Sequence, residues 1–306
     1  MKIGRVEKTA SINFFFTLNV KSNWEARSAM NWKVGFCQGA LRSLDLEKGA
    51  RLLPSMGCDA IELWSFHPTV MPYVIGKKDP SEISSIMKRY NLSYSVHAPF
   101  HDLNIAGLND RIRKEFLLET LEALHLAANI DAELLVLHPG KRTTIEVPDE
   151  VYLERSIEAV KKVCQRAEEL GLKMRIGLEN MDSKRTHFAN TPKCLLSILE
   201  GVNSPNLGIT FDVAHANTCM DPVEFLKQVA DKVVHVHLSD NTGPTSSSFH
   251  MPLGTGNVNL VDVFKELANG GYEGMLIVEG GGENPKEFIK RSLKVIRSAI
   301  KEAGLT

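Results

Sequence analysis

Residues 207–241 read LGITFDVAHANTCMDPVEFLKQVADKVVHVHLSDN, and this stretch contains the unit that decides the fold. An apolar run, Leu207–Asp212, is followed by Asp221-Pro222, a pair typical of a helix start, and then by a second apolar run, Val233–Leu238. Asp212 ends the first run and His237 stands next to the end of the second. The stretch therefore predicts a strand, a helix and a strand, with polar groups where the strands end.

The same unit recurs along the chain from Lys33 onward. The apolar runs are Val34–Cys37, Ala60–Trp64, Ser93–His97, Leu134–His138, Arg175–Glu179, Leu207–Asp212, Val233–Leu238 and Met275–Glu279. Segments with helical spacing separate them, for example Arg111–Asn129, Val151–Leu170 and Pro285–Ala303. Alternating strands and helices predict an α/β fold with a parallel sheet, and eight units in roughly 270 residues predict a (β/α)8 TIM barrel. A doubly wound open sheet is the alternative, but no Gly-x-Gly-x-x-Gly follows an early strand.

The chain divides into a short N-terminal segment and one barrel domain. Residues 1–29 are expected to be a poorly ordered extension, because the apolar run Ile12–Val20 is short and no clear cleavage site follows it. Residues 30–306 form the barrel. No apolar run reaches the roughly 20 residues that cross a bilayer, so no membrane partner is expected.

Composition narrows the range of partners. The net charge is −1, so no overall basic field exists to hold a nucleic-acid backbone, although a local patch is not excluded. The five cysteines are scattered and form no Cys-x-x-Cys pair, which favours reduced thiols and a cytoplasmic location.

Six of the eight runs carry a potential metal ligand or acid–base group at the end. These residues are His97, His138, Glu179, Asp212, His237 and Glu279. In a barrel the carboxyl ends of the strands meet at one rim, where active sites form. Burying these groups together without a cation would cost several kcal/mol per charge, so a divalent metal is expected. Two glutamates, an aspartate and a histidine suit Mn²⁺, Mg²⁺ or Co²⁺, and further histidines shift the preference toward Zn²⁺.

Other residues join the rim by their spacing in the sequence. His215 and His250 follow the sixth and seventh runs, whereas Asp240 and Asn241 are expected to be structural. His235 is predicted to lie on the face opposite His237 and to pack outward. The remaining candidates for substrate contacts are weaker: Trp64, His67 and Phe100 as pocket residues, Lys141 with Arg142 as phosphate ligands, and Asn257 with its neighbouring glycines as another phosphate site.

Seven short motifs, in order and each at a strand end, resemble the xylose isomerase-like TIM barrel superfamily. They are SVHAPF, LVLHPG, GLEN, TFDVAHA, HVHLSDN, HMPLGTGNV and IVEGG, within residues 33–303. The superfamily includes sugar and sugar-phosphate isomerases and epimerases, and also endonuclease IV. Barrels of this type often dimerise, so a homodimer is expected.

In the epimerase branch, the resemblance implies one divalent metal held by Glu179, Asp212, His237 and Glu279. The two glutamates would also form the acid–base pair of a reaction that passes through a metal-bound enediolate, and His215 would hydrogen-bond a substrate oxygen. The predicted function is therefore a metal-dependent sugar or sugar-phosphate isomerase or epimerase with a small carbohydrate substrate.

In the nuclease branch, the resemblance implies up to three Zn²⁺ ions held by nine residues. Eight have counterparts here, including His97, His138 and His250 as additional ligands, but Ser248 stands where an aspartate is required. A zinc-dependent abasic-site endonuclease is thus the first alternative. A sugar-binding barrel without chemistry is the second.

Overall fold

A computed structural model describes residues 30–65, 78–246 and 248–306 of the chain. The predicted extension 1–29 and the predicted substrate residue His67 lie outside the described residues. Both remain predictions.

Eight parallel strands form a closed barrel in sequence order, and the last strand pairs with the first. The strands are β1 (Lys33–Cys37), β2 (Ala60–Trp64), β3 (Ser93–His97), β4 (Leu134–Leu137), β5 (Arg175–Glu179), β6 (Leu207–Asp212), β7 (Val233–Leu238) and β8 (Met275–Val278). The predicted TIM barrel is confirmed, and the open sheet is excluded by the closure between β1 and β8. Every predicted strand is present, and three strand boundaries differ from the predicted ones by one residue each.

Helices connect the strands on the outside of the barrel. Within the described ranges they are α1 (Leu46–Ser55), α2 (Pro80–Tyr90), α3 (Asp110–Asn129), α4 (Asp149–Glu169), α5 (Pro192–Val202), α6 (Val213–Cys219), α7 (Pro222–Val229), α8 (Leu260–Asn269) and α9 (Pro285–Glu302). The predicted start of α7 is confirmed, because the Asp221 carboxylate accepts hydrogen bonds from the Val223 and Glu224 amides. No helix in this described part is long and apolar enough to cross a membrane.

The inner face of the barrel is unusually polar one layer below the rim. Side chains alternate between the two faces of a strand, so residues two positions apart share a face. Glu62 and Ser95 lie side by side in the β2–β3 register, and both side chains are fully buried. His235 joins them, with its Nε2 2.9 Å from the Glu62 carboxylate. The prediction that His235 packs outward is therefore wrong, because it stands two residues before His237 and shares its inward face.

Glycines make room for this layer. A Cβ atom on Gly35 would lie 2.3 Å from the Ala60 carbonyl oxygen, and one on Gly177 would lie 2.1 Å from Thr210 Oγ1. A larger residue at Gly35 would displace the backbone of β2, and one at Gly177 would force the Thr210 side chain to rotate. The outer face is apolar instead, as where Phe36 of β1 meets Phe288 of α9 at 6.0 Å between ring centroids. The hydrophobic core thus lies mainly between the strands and the helices.

Candidate metal centre

The eight predicted ligands all converge at the carboxyl rim of the barrel. Their metal-ligand atoms form three overlapping groups, and within each group the atoms lie within 4.8 Å of one another. The groups are Glu179, Asp212, His237 and Glu279; His97, His138 and Glu179; and Asp212, His215 and His250. The groups share Glu179 and Asp212. The first is the central group, and the other two flank it.

The central group is fully buried and contains donor atoms that lack hydrogen-bond partners. His237 Nδ1 lies 3.4 Å from Glu179 Oε1, 3.6 Å from Glu279 Oε1 and 3.9 Å from Asp212 Oδ2. Among the described residues, neither His237 Nδ1 nor Asp212 Oδ2 has a hydrogen-bond partner. Buried polar atoms are nearly always hydrogen-bonded, so two atoms of one cluster without such a bond require an explanation. A divalent cation fits, because three carboxylates and one imidazole are ligands that Mn²⁺, Mg²⁺, Co²⁺ and Zn²⁺ accept.

The orientation of Asp212 is fixed by its neighbours. Asp212 is the N-cap of α6, and its Oδ1 accepts a hydrogen bond of 2.6 Å from the His215 amide. Its backbone amide donates to Asn180 Oδ1 at 2.7 Å, and Asn180 Nδ2 donates to its carbonyl oxygen at 2.9 Å. These bonds use every other polar atom of Asp212 and leave Oδ2 for the central group.

Glu179 is surrounded by histidines. Its Oε2 lies 3.3 Å from His97 Nε2 and 3.1 Å from His138 Nε2, and its Oε1 lies 3.3 Å from His215 Nδ1. Burial alone would raise the pKa of Glu179, but the histidines, His138 first among them, hold it well below its ordinary value. Glu179 therefore stays ionised.

Glu279 has the opposite tendency. Burial, together with the Glu179 and Asp212 carboxylates, raises the pKa of Glu279 to about 8, although His237 opposes the shift. For His215, burial disfavours the charged ring, but the Asp212 and Glu179 carboxylates outweigh it and raise the pKa to about 10. Without a cation, protons on Glu279 and His215 thus balance the carboxylates.

The flanking groups are less complete. His97 Nδ1 lies 2.8 Å from the Ala98 carbonyl, so His97 offers Nε2 to the group that it forms with His138 and Glu179. In the other flanking group, Ser248 lines the same cavity as His215 and His250. Its neutral hydroxyl is a weaker zinc ligand than a carboxylate.

Asp240, at the end of β7, has a different role. Its carboxylate accepts four backbone N–H bonds of 2.9–3.1 Å, from Asn241, Gly254, Gly256 and Val258. These bonds shape the glycine loop behind His250. The amides of Gly254 and Gly256 are therefore occupied, and Asn257 bonds to Asn217 and Asn241. The two glycine amides are therefore not open to a phosphate, and the structural role expected for Asp240 is confirmed.

A cavity of about 540 Å³ opens above the donor groups. Phe100, Lys141 and Lys184 contribute to its wall, as do Phe249 and His187. Lys184 Nζ lies 4.1 Å from the centre of the Phe249 ring and 3.2 Å from the Asp182 carboxylate.

Two further predicted contacts differ in their surroundings. Trp64 packs edge-on against Phe100, a residue of the cavity wall, at 6.0 Å between ring centroids, and its role as a substrate contact remains a prediction. Arg142 is not available for phosphate, because it pairs with Asp149 at 2.5 Å and 2.6 Å and donates to the Arg185 and His187 carbonyls.

The sequence analysis missed several residues near the site. Glu62, one layer below, was not predicted because it lies in the middle of a strand, whereas the predicted site residues lie at strand ends. A glutamate inside the apolar run AIELW is nevertheless a signal, because charged side chains are rarely buried without a partner. Asp182, Lys184 and Phe249 were missed because they belong to loops, whose approach to the rim no spacing reveals.

Comparisons with known proteins agree on one architecture. A protein-family model described as "Xylose isomerase-like TIM barrel" matches residues 50–299. The chain is 34% identical over 239 residues to the uncharacterized protein MJ1311 of Methanocaldococcus jannaschii, covering 75% of this chain and 80% of that protein. It is 23% identical to the fructoselysine 3-epimerase of Escherichia coli O157:H7, covering 88% and 99%. The crystal structure of a D-tagatose 3-epimerase-like protein superimposes with a TM-score of 0.77 at 28% identity, covering 89% and 98%.

Proposed function

We propose that this chain, which belongs to the xylose isomerase-like TIM barrel family, is a divalent-metal-dependent sugar epimerase or isomerase. The observation that carries the proposal is the central group, where three carboxylates and a histidine converge and two of their atoms have no hydrogen-bond partner among the residues that the structure describes. The epimerase names of two relatives support the same reaction class.

Glu179, Asp212, His237 and Glu279 would hold the metal. A divalent cation, when bound, polarises a carbonyl and a neighbouring hydroxyl and so acidifies the adjacent C–H bond. A ketose, the substrate class in the name of one relative, the ketose 3-epimerase of Arthrobacter globiformis, carries such a carbonyl–hydroxyl pair.

The two glutamates are suited to opposite halves of a proton transfer. Glu179 would take the proton from the carbon next to the carbonyl, and Glu279, carrying a proton taken from solvent, would return it to the other face. After one turnover the proton sits on Glu179 instead of Glu279, and exchange with solvent resets the pair. His215 would hydrogen-bond a substrate oxygen.

Lys141 and Lys184 support a substrate with an anionic group, such as a sugar phosphate. Burial, and then the charge of Lys184, lower the pKa of Lys141. Within the described ranges, no carboxylate lies within ion-pair distance of Lys141 Nζ. A phosphate between the two ammonium groups would relieve their repulsion. Each charge-assisted hydrogen bond contributes about 1.5–3 kcal/mol, so Lys141→Met should raise KM roughly 10- to 100-fold for a phosphorylated substrate only.

The test is hydrogen exchange at the substrate carbon. The metal-loaded protein is incubated in D₂O with ketoses, with and without a phosphate group, and deuterium is followed by NMR. We expect deuterium at the carbon next to the carbonyl, together with the epimer or isomer. Glu179→Gln and Glu279→Gln should each slow exchange about 10²- to 10⁴-fold at saturating metal, while exposed Glu302→Gln should not. Full exchange in either site variant contradicts the acid–base assignment.

The flanking groups favour a second candidate, an abasic-site endonuclease. His97 and His138 on one side, and His215 and His250 on the other, are placed to extend the centre to more than one ion. Ser248 and the near-neutral charge weigh against it. The nuclease should nick an abasic duplex, and its rate should fall steeply with salt through counterion release. Nicking by the zinc-loaded protein without sugar exchange would replace the epimerase proposal.

A further inference from the structure

A carboxylate lies in the centre of the barrel, beneath the proposed metal centre. Glu62 is fully buried. Barrel interiors are normally filled with apolar side chains, and burying an ion costs several kcal/mol even after relaxation. An apolar residue would fill the position at lower cost, so the charge at Glu62 calls for a role beyond packing.

Three polar side chains meet this carboxylate. Ser95 Oγ donates to Glu62 Oε2 at 2.9 Å, and His235 Nε2 lies 2.9 Å from the same oxygen. His237 Nε2 is 3.2 Å from each Glu62 oxygen. Ser95 and His235 thus fix Glu62 from two sides, and Glu62 in turn faces His237.

The two nitrogens of His237 have different surroundings. Nε2 faces Glu62, and Nδ1 faces the central group, where it lacks a hydrogen-bond partner among the described residues. A neutral imidazole carries its proton on one nitrogen only. An acceptor at Nε2 places the proton there and leaves the Nδ1 lone pair for a metal.

We propose that Glu62 is a positioning residue, which fixes the Nε2–H tautomer and the ring orientation of His237 so that Nδ1 is presented to the central group. The proposal rests on the metal centre of the proposed function, but not on its sugar chemistry. Ser95 and His235 hold Glu62 in place and complete a chain of contacts from β3 through β2 to β7.

Metal affinity provides the first test. Mn²⁺ and Zn²⁺ affinities are measured by calorimetry for the wild type, Glu62→Gln and Thr210→Val. Thr210 is a buried interior residue whose hydroxyl lacks a hydrogen-bond partner among the described residues, so it is a matched control. Loss of such an outer partner typically costs 10- to 100-fold in affinity. We expect a loss of that size in Glu62→Gln and less than about twofold in Thr210→Val.

A second, milder variant is needed in case Glu62→Gln does not fold. Ser95→Ala removes one hydroxyl, retains Glu62 and should weaken metal binding a few-fold in the same direction. Circular dichroism and thermal unfolding verify that both variants fold. Affinity unchanged within twofold in both folded variants would overturn the positioning role.

The tautomer provides a readout that a packing role would not change. In the Zn²⁺-loaded protein with ¹⁵N-labelled histidine, long-range ¹H–¹⁵N spectra should show His237 protonated at Nε2 and metal-bound at Nδ1. In Glu62→Gln this Nε2–H signal should shift or broaden. A signal identical to that of the wild type, or an ion bound between Glu62 and His237 Nε2, contradicts the proposal.

The two proposals fail in different ways. If the wild type binds metal but exchanges no sugar hydrogen, the proposed function fails and the Glu62 result stands. If the wild type binds no metal, both are overturned.

Discussion

Two buried aspartates at the ends of neighbouring strands show how differently one residue type is used. Asp240, after β7, has both oxygens saturated by four backbone N–H groups. Asp212, at the end of β6, has one oxygen used as a helix cap and the other without a hydrogen-bond partner in the described part of the chain. The saturated carboxylate holds a loop, whereas the half-used carboxylate is available for a ligand. Hydrogen-bond satisfaction therefore separates structural from functional acids more sharply than position at the rim does.

The largest effect is expected from Asp212→Asn. Asparagine is an equally good helix cap, so α6 should remain, but a neutral amide replaces the open oxygen. Removing one partner of a buried charge cluster costs about 3–5 kcal/mol, which corresponds to a metal affinity roughly 100- to 4,000-fold weaker. Calorimetric titration measures this. An affinity within threefold of the wild type would show that Asp212 is not a ligand.

Asp240→Asn should instead lower the stability of the fold and leave metal affinity nearly unchanged. An amide has one acceptor oxygen, so two of the four backbone N–H groups lose their partner. Each buried unsatisfied donor costs about 1–3 kcal/mol, which predicts a loss of roughly 2–6 kcal/mol in the free energy of unfolding. Urea denaturation of the metal-free protein measures the loss. Metal affinity should change only a few-fold, and a loss as large as that of Asp212→Asn would remove the distinction between the two aspartates.

The central group should also make the stability of the metal-free protein depend on pH. In the metal-free protein the pKa values of Glu279, about 8, and His215, about 10, both lie above their ordinary values. The folded state therefore binds more protons than the unfolded state between pH 7 and 9, and its stability should fall as pH rises.

A bound cation takes the place of those protons, so the loaded protein should lose less stability over the same interval. Melting temperatures at pH 7, 8 and 9, with chelator or with metal, measure both slopes. Glu279→Gln should flatten the metal-free slope. Equal slopes with and without metal would contradict the protonation of this cluster.

The smallest effect is expected from Ser248→Asp, which adds a carboxylate to the flanking group of Asp212, His215 and His250. A second ion should then bind about tenfold more tightly, a gain of about 1.4 kcal/mol. The affinity of the central group should not change. Zn²⁺ titration with two resolved steps provides the measurement, and an unchanged second step would show that Ser248 does not face this group.

The barrel and its rim could be predicted from the sequence because both depend on local periodicity. The apolar runs and the helical spacing between them are local signals. So are the glycines that follow helices, since Gly57, Gly171 and Gly271 all adopt positive φ. The convergence of His97, Glu179 and Glu279 follows from closure, since parallel strands place their carboxyl ends at one rim.

The interior layer and the loop contacts were not predicted, for two reasons. His235 was assigned to the wrong face, although the alternation along β7 already placed it with His237. Glu62 has its partners on β3 and β7, which only the closed barrel brings together. The contacts of Lys184 and Arg142 depend on loop conformations that no periodicity encodes.

The most direct test of the metal centre is elemental analysis of the protein purified without chelator, beside Asp212→Asn prepared in the same way. We predict about one Mn, Co, Mg or Zn per wild-type chain and a large loss in the variant. Two to three tightly held Zn per chain would contradict a single centre and favour the nuclease. No metal in the wild type, even after reloading, would contradict the account.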